Sequence, residues 1–301
     1  MKKIYFDKFL TNLEDESISI IRDSFSKSSN SVMMYSIGKD SSVLLHLARK
    51  AFYPSPVPFP LLHIDTKWKF KEMIIFKKKI EKKYNLKILT HTNSLGLKKN
   101  ISPFKHSFYT DVMKTDALKQ ALDKNNFDVI YGGARRDEEA SRSKERIVSV
   151  REFNHIWDPK NQRPEPFGIY NFNKLKEQTL RVFPISNWTE EDIWNYILAE
   201  KIEIVNLYYS KIRPTVKRNT SWFMLDDDRF PLKKKEKVIY QSIRFRTLGC
   251  YPLTAGTLSK AQTIEEIISE NKKLHISERA GRLIDNDKVA SMEEKKKLGY
   301  F

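Results

Sequence analysis

The chain reads as an α/β protein: a mostly parallel, twisted sheet with helices on both faces, followed by an irregular C-terminal extension. Two observations predict this. Apolar runs of strand length alternate with runs of helix length up to about residue 200, the pattern of a parallel sheet with crossover helices. The strand-like runs also end in small or polar residues, at the edge where such a sheet binds its ligand.

The elements follow in order. Residues 14–25 form an amphipathic helix, with Ile18, Ile20, Ile21 and Phe25 on its apolar side. Val32-Met33-Met34-Tyr35 is a strand, and residues 41–52 are the helix after it. The proline-rich residues 53–60 end that helix, because proline lacks the N–H and restricts the residue before it. Leu61-Leu62-His63-Ile64-Asp65 is a strand ending in an acid, followed by a helix to about Tyr84. Residues 86–89 make a strand, 111–123 a helix, and 128–133 a strand ending in Gly132 and Gly133. The proline-interrupted stretch 157–166 is too long for an idle connector. Residues 181–186 are strand-like, and 187–197 are a helix with Thr189 or Asn187 as N-cap and acids in its first turn. The core is assigned to residues 1–200 and the extension to 201–301. The extension shows no clean sheet pattern, only helices near 264–270 and at the end. Its aromatics, Tyr208, Tyr209, Trp222, Phe223 and Phe230, suggest packing on the core or on a partner.

Length and composition bound the class. At 301 residues and 40% hydrophobic content, one substantial domain or one domain with a long extension is expected. No stretch approaches eighteen apolar residues, and the first residues show no secretory h-region. A single cysteine, Cys250, excludes an internal disulfide and fits a reducing compartment. A soluble, cytoplasmic protein without a membrane partner is expected. The net charge of +17 raises the question of nucleic acid. The excess is lysine, 39 against 16 arginines, in runs such as 77–79 and 233–235. Such runs are usually solvated faces, and no aromatic-interleaved RNA signature accompanies them. Compositional drift therefore explains the charge better than a nucleic-acid surface. Against that drift, Arg135, Arg136, Arg142, Arg146 and Arg151 fall within seventeen residues. The arginine fork bonds tetrahedral oxyanions at two points, which lysine cannot imitate.

Ser36-Ile37-Gly38-Lys39-Asp40-Ser41-Ser42 joins the first strand to its helix. A helix N-terminus offers unpaired N–H groups and a positive dipole end, and Gly38 lets a phosphate approach the backbone. Lys39 adds a point charge, and Ser36, Ser41 and Ser42 add hydroxyls. A Walker loop needs an earlier glycine, but Gly38 is the first in the chain and Lys39 is followed by Asp40. The ordinary alternative is a strand-to-helix turn with serine capping. The second constellation is Gly132-Gly133-Ala134-Arg135-Arg136, whose paired guanidiniums are expected to converge on an anion at the same rim. Its alternative is a surface helix with Arg–Glu pairs. The six histidines show no metal spacing, so no metal site is assigned.

The 36–42 loop resembles the S-x-G-x-D-S loop of the ATP pyrophosphatase superfamily, which holds the β,γ-phosphates as a leaving group. Residues 61–66, Trp68-Lys69-Phe70, 132–138, 157–164, 183–190, 244–250, 277–282 and 297–301 resemble the small, catalytic subunit of heteromeric sulfate adenylyltransferase. The resemblance covers essentially the whole chain. It implies an adenine nucleotide alpha hydrolase-like fold and the first step of sulfate assimilation: ATP plus sulfate gives adenosine 5′-phosphosulfate plus pyrophosphate. Lys39, Gly38, Ser36, Ser41 and Ser42 would hold pyrophosphate. Leu62, Ile64, Asp65 and Thr66 would line the adenosine, with Gly133 at the nucleotide. Arg135 and Arg136 would orient sulfate or the α-phosphate, with Arg142, Arg244 and Arg246 as secondary candidates. Mg²⁺ would arrive with ATP, with Asp40 a candidate contact, and a GTPase large subunit would bind in trans. Lys67 departs from relatives that carry Gly there. The rivals are an RNA-modifying ATP pyrophosphatase, a nucleotide-sensing scaffold, and a phosphosulfate reductase, the last disfavoured because no Cys follows Cys250.

Overall fold

The computed structural model describes residues 8–273 together with Glu278 and Gly299. The helix expected at the chain's end, and all but one residue each of segments 277–282 and 297–301, lie outside the described residues. The elements run α1 (Lys8–Ser26), β1 (Ser31–Met34), α2 (Lys39–Phe52), β2 (Leu61–Ile64), α3 (Lys71–Lys83), β3 (Ile88–His91) and α4 (Ser94–Lys98). A π-helical stretch, Asp111–Asp116, leads into α5 (Ala117–Asn125), followed by β4 (Val129–Tyr131), β5 (Val148–Arg151), β6 (Thr179–Val182) and α6 (Glu190–Ala199). Then come β7 (Lys211–Arg218), β8 (Ser221–Met224), β9 (Ile239–Arg244), β10 (Thr257–Leu258) and α7 (Ile264–Asn271). No helix among the described residues is long and apolar enough to cross a membrane.

The first sheet has the order β3-β2-β1-β4-β6-β5, parallel except for the edge strand β5. The chain steps outward from β1 through β2 to β3, then crosses back to β4 on the other side of β1. That reversal opens a crevice between the carboxyl ends of β1 and β4, the place where such sheets bind ligands. Register is fixed by fully buried side chains, with Val32 opposite Ile130 and Met33 opposite Tyr131. Thr189 caps α6 through a reciprocal capping box with Asp192, at 3.1 and 2.8 Å, which decides between the two expected caps.

The extension is not irregular. β7–β10 form a four-stranded antiparallel sheet, order β10-β9-β7-β8, whose buried face joins the same apolar core as α1, α2 and α6. Its strands hide in the sequence because β7, Lys-Ile-Arg-Pro-Thr-Val-Lys-Arg, carries charge at four of its eight positions without a regular period and contains a proline. Pro214 is tolerated because β8 pairs with β7 only from Thr215 onward, so its missing N–H falls where that ladder ends. The edge strand β5 was also not expected. It lies antiparallel to β6 and buries both faces, so it lacks the alternation that marks a half-buried strand.

Asp128 ties the entries of the two central strands together. Its carboxylate accepts from Ser28 Oγ (2.7 Å), Ser29 N (2.8 Å) and Asn30 N (3.0 Å) and pairs with Lys174 Nζ at 2.9 Å. Burial pushes this carboxyl up, but those hydrogen bonds outweigh burial and hold it below its ordinary value. Its contribution is therefore present above the ordinary carboxylate range and lost as pH falls through the depressed folded-state value. Asp128→Asn is expected to lower unfolding free energy by about 2 kcal/mol at neutral pH. The gap to the unsubstituted chain, read from denaturant midpoints, is expected to close in acid below the usual carboxylate range.

Candidate functional site

Two loops meet in the crevice between β1 and β4. The first leaves β1 through Tyr35 and Ser36 and enters α2 at Lys39. Its left-handed residue is Ile37, with φ 69°, while Gly38 is extended at φ −83° and ψ 170°. A β-branched residue in that region is strained, and Ile37 is held there by near-complete burial in the core. Gly133, from the β4 loop, lies against this turn. A Cβ on it would stand 3.3 Å from the Asp40 carbonyl carbon, so a side chain here would press the two loops apart by a few tenths of an ångström.

The loop satisfies its own polar groups. Ser41 Oγ and Ser42 Oγ donate to the Gly38 carbonyl at 2.9 and 3.0 Å, and Ser36 Oγ donates to Ser41 Oγ at 3.2 Å. The Lys39 N–H donates to the Tyr208 hydroxyl at 2.8 Å, so the second sheet's approach segment closes the helix N-terminus. Lys39 itself turns inward and is fully buried. Its Nζ lies 2.9 Å from Asp40 Oδ2 and pairs with Glu278. Arg135, equally buried, donates from Nε to Asp40 Oδ1 at 2.7 Å and from Nη2 to Glu278. Two cations and two carboxylates thus alternate in one cluster.

The cluster sets its own ionisation. Burial alone would depress Lys39, but Asp40 and Glu278 more than offset it and hold the ammonium above its ordinary value. Burial would raise Asp40, and the neighbouring Lys39 and Arg135 charges pull it below the usual carboxylate range instead. For Glu278 burial wins over the same two cations, and its carboxyl is pushed up.

A cavity opens over this cluster. Ser36, Gly38, Asp40, Ser41, Leu62, Ile64 and Gly133 line it, together with Lys69, Lys114, Glu138, Arg142 and Tyr208. Apolar walls from Met34, Leu62, Ile64, Leu118 and Leu253 suit a flat base, and the polar ones suit phosphates. Other expected site residues do not reach the cavity wall. Asp65 is spent on Lys67, accepting from its backbone N and its Nζ, both at 2.7 Å. That clamp holds Lys67 at φ 64°, the conformation a glycine would take without help. Thr66 is buried beneath, its Oγ1 3.2 Å from Cys250 Sγ, and its carbonyl accepts from Tyr109 Oη at 3.0 Å.

The paired arginines diverge. Residues 136–138 wind into a 3₁₀ turn that carries Arg136 away, where Nη1 donates to Asn187 Oδ1 at 2.5 Å and Nη2 lies 3.6 Å from Glu165. Of the remaining arginines, Arg142 lines the cavity, 3.2 Å from Glu145, and the buried Arg151 shares that glutamate at 2.5 Å. Arg146 is exposed. Arg244 ties β9 to α7 through Glu270 at 2.8 Å, and Arg246 pairs with Glu190 at 2.6 Å. Lys69, Lys114 and Glu138 on the cavity wall are not assigned from sequence, and neither are two groups on the ion cluster, Glu278 and the hydroxyl of Tyr208. Neither carries a local signal, since each acts on residues more than 140 positions away.

Comparison with known proteins accords with this geometry. Residues 30–256 match the phosphoadenosine phosphosulfate reductase domain. Sulfate adenylyltransferase subunit 2 of Citrifermentans bemidjiense is 58% identical over 97% of this chain and 98% of its own length. That of Photobacterium profundum is 59% identical, over 97% of both chains. Among solved structures, Candida glabrata FMN adenylyltransferase with FMN and an ATP analogue shares the fold at 16% identity. The TM-score is 0.52, with 94% of this chain and 90% of that one covered. On the near-full-length identity to these relatives, the chain belongs to the sulfate adenylyltransferase subunit 2 family.

Proposed function

We propose that this chain is the catalytic subunit of a heteromeric sulfate adenylyltransferase and transfers AMP from ATP to sulfate. The observation that carries this reading is the meeting of Lys39 and Arg135 on Asp40, from loops 95 residues apart, beneath one cavity. A sulfate oxygen attacks the α-phosphorus in line. The bond from that phosphorus to the α,β-bridging oxygen breaks, and pyrophosphate leaves with its electron pair. Sulfate is a dianion at neutral pH, so no proton is removed and no general base is needed. Catalysis rests on positioning and charge stabilisation.

Lys39, Arg135, the Gly38 backbone and the hydroxyls of Ser36, Ser41 and Ser42 are assigned to the departing pyrophosphate. The serine hydroxyls would turn from the Gly38 carbonyl toward phosphate oxygens. Leu62 and Ile64 are assigned to the base, and Arg142, on the cavity wall, to sulfate. Magnesium enters as part of the MgATP substrate, and Asp40, an oxygen donor in the wall, is assigned to meet it. The product's mixed phosphoric–sulfuric anhydride is uphill to make, so the reaction must be pulled by removal of its products or driven by a second subunit. A cytoplasmic GTPase subunit is the proposed driver, and sulfate assimilation the pathway served.

The test is sulfate-dependent exchange of pyrophosphate into ATP. Lys39→Ala and Arg135→Ala are each expected to lower it by about 10²–10³-fold, the scale of losing one preorganised charge-stabilising donor. Arg136→Ala, whose guanidinium faces Asn187 and Glu165, is expected to stay within a few-fold. Exchange that follows added RNA and ignores sulfate would instead favour the base-adenylating rival. For the partner, co-purification of a GTP-binding subunit is expected, with product levels that rise on adding GTP. An unaccompanied chain reaching the same product level with and without GTP would refute that assignment.

A further inference from the structure

The two cations assigned to pyrophosphate already face carboxylates: Lys39 faces Asp40 and Glu278, and Arg135 faces both of these and, from Nη1 at 3.5 Å, the half-exposed Asp137. Asp40 follows Lys39 directly in α2 and forms part of the cavity wall. Glu278 comes from 239 residues beyond Lys39 and 143 beyond Arg135. Its side chain is only 5% exposed, and its oxygens divide the cations, Oε1 on Lys39 Nζ and Oε2 on Arg135 Nη2. One charged centre offering two oxygens to an ammonium and a guanidinium is what a terminal phosphate group also offers. Glu278 lines the same cavity as Ser36, Gly38 and Ser41.

The geometry points to Glu278 as an internal occupant of the pyrophosphate position, holding Lys39 and Arg135 in place while the cavity is empty and yielding both when the β,γ-phosphates enter. This rests on the assignment of Lys39 and Arg135 to the leaving group. Asp40 cannot play the same part, because it is fixed by its neighbouring position in the first turn of α2. With Glu278 in place the buried charges of Lys39 and Arg135 are fully matched by Asp40 and Glu278, and the half-exposed Asp137 adds a further negative charge beside Arg135. A polyanion arriving beside Glu278 meets a like charge in a buried setting, where repulsion is poorly screened. With Glu278 withdrawn, one buried carboxylate fewer opposes the two cations, and their attraction for phosphate rises. A carboxylate that only neutralised buried cations would have no reason to exchange.

Isothermal calorimetry of inorganic pyrophosphate with Mg²⁺ on the full chain, paired with thermal melts, separates the two roles. Glu278→Gln is expected to bind pyrophosphate at least about five-fold tighter than the unsubstituted chain, equivalent to about 1 kcal/mol. It is expected to melt lower without ligand and to recover that deficit at saturating pyrophosphate. Glu278→Asp keeps the charge but shortens the reach, and an intermediate affinity is expected, so the proposal stays testable if the glutamine variant does not fold. Unchanged or weaker pyrophosphate binding in these variants, or a melting deficit that pyrophosphate does not close, would overturn it and leave Glu278 a structural counter-ion. Lys39→Ala is the control for the underlying assignment. Loss of pyrophosphate binding there supports the cradle, and unaltered binding would overturn the cradle itself whatever Glu278→Gln does.

Discussion

The pairing of β1 with β4 is the constraint from which the site follows. These strands are neighbours in the sheet but far apart in sequence, and their register places two loops at one carboxyl edge. Contact there is close enough that a Cβ on Gly133 would crowd the Asp40 backbone, and Asp40 can take Lys39 on one oxygen and Arg135 on the other. Burying four charges is costly unless each is matched, because desolvation of an unpaired ion exceeds what a single partner returns. Alternating the signs meets that condition. The strain at Ile37 has the same origin: the turn must be tight to bring Lys39 to the crevice, and the surrounding core holds the unfavourable φ in place.

Much of this was legible in the sequence, for local reasons. The turns at residues 36–42 and 132–136 announce themselves through composition at strand ends, and the start of α6 through its capping residues and first-turn acids, with Thr189 and Asn187 both candidates for the cap. What failed was anything decided at long range or by irregular backbone. Arg135 and Arg136 read as a converging pair. The step from an extended Arg135, at φ −125° and ψ 147°, into a 3₁₀ turn sends them to different neighbours. No periodicity governs such a turn, so side-chain direction there cannot be read from spacing. Glu278 and Tyr208 act on Lys39 across 239 and 169 residues, a distance at which a single sequence carries no pairing signal. The second sheet was hidden for another reason. Its strands mix exposed and buried positions without a steady period of two, because one sheet face packs on the core while arginines such as Arg213 and Arg244 are buried within it.

The arginine argument changes meaning once burial is known. Lysine outnumbers arginine 39 to 16 in the chain, yet the buried cations among the described residues are seven arginines and Lys39. Lysine therefore predominates on the surface, while arginine carries most of the buried positive charge. The physical reason is that guanidinium is less strongly hydrated and offers five fixed donors, so it loses less on burial and satisfies more partners. Arg213 and Arg244 each turn two guanidinium nitrogens to a carboxylate inside the protein, and the buried Arg151 meets Glu145 through Nη2, none of them meeting a substrate. Retention of arginine thus marks burial first and anion recognition second, and only Arg135 and Arg142 among the clustered five border the cavity or its ion cluster. Lys39 is the informative exception. An ammonium is a compact point charge with rotatable donors, able to exchange one set of oxygens for another without a planar geometry to preserve. A position that must stay buried while trading internal carboxylates for an incoming anion is one where that property outweighs the arginine fork.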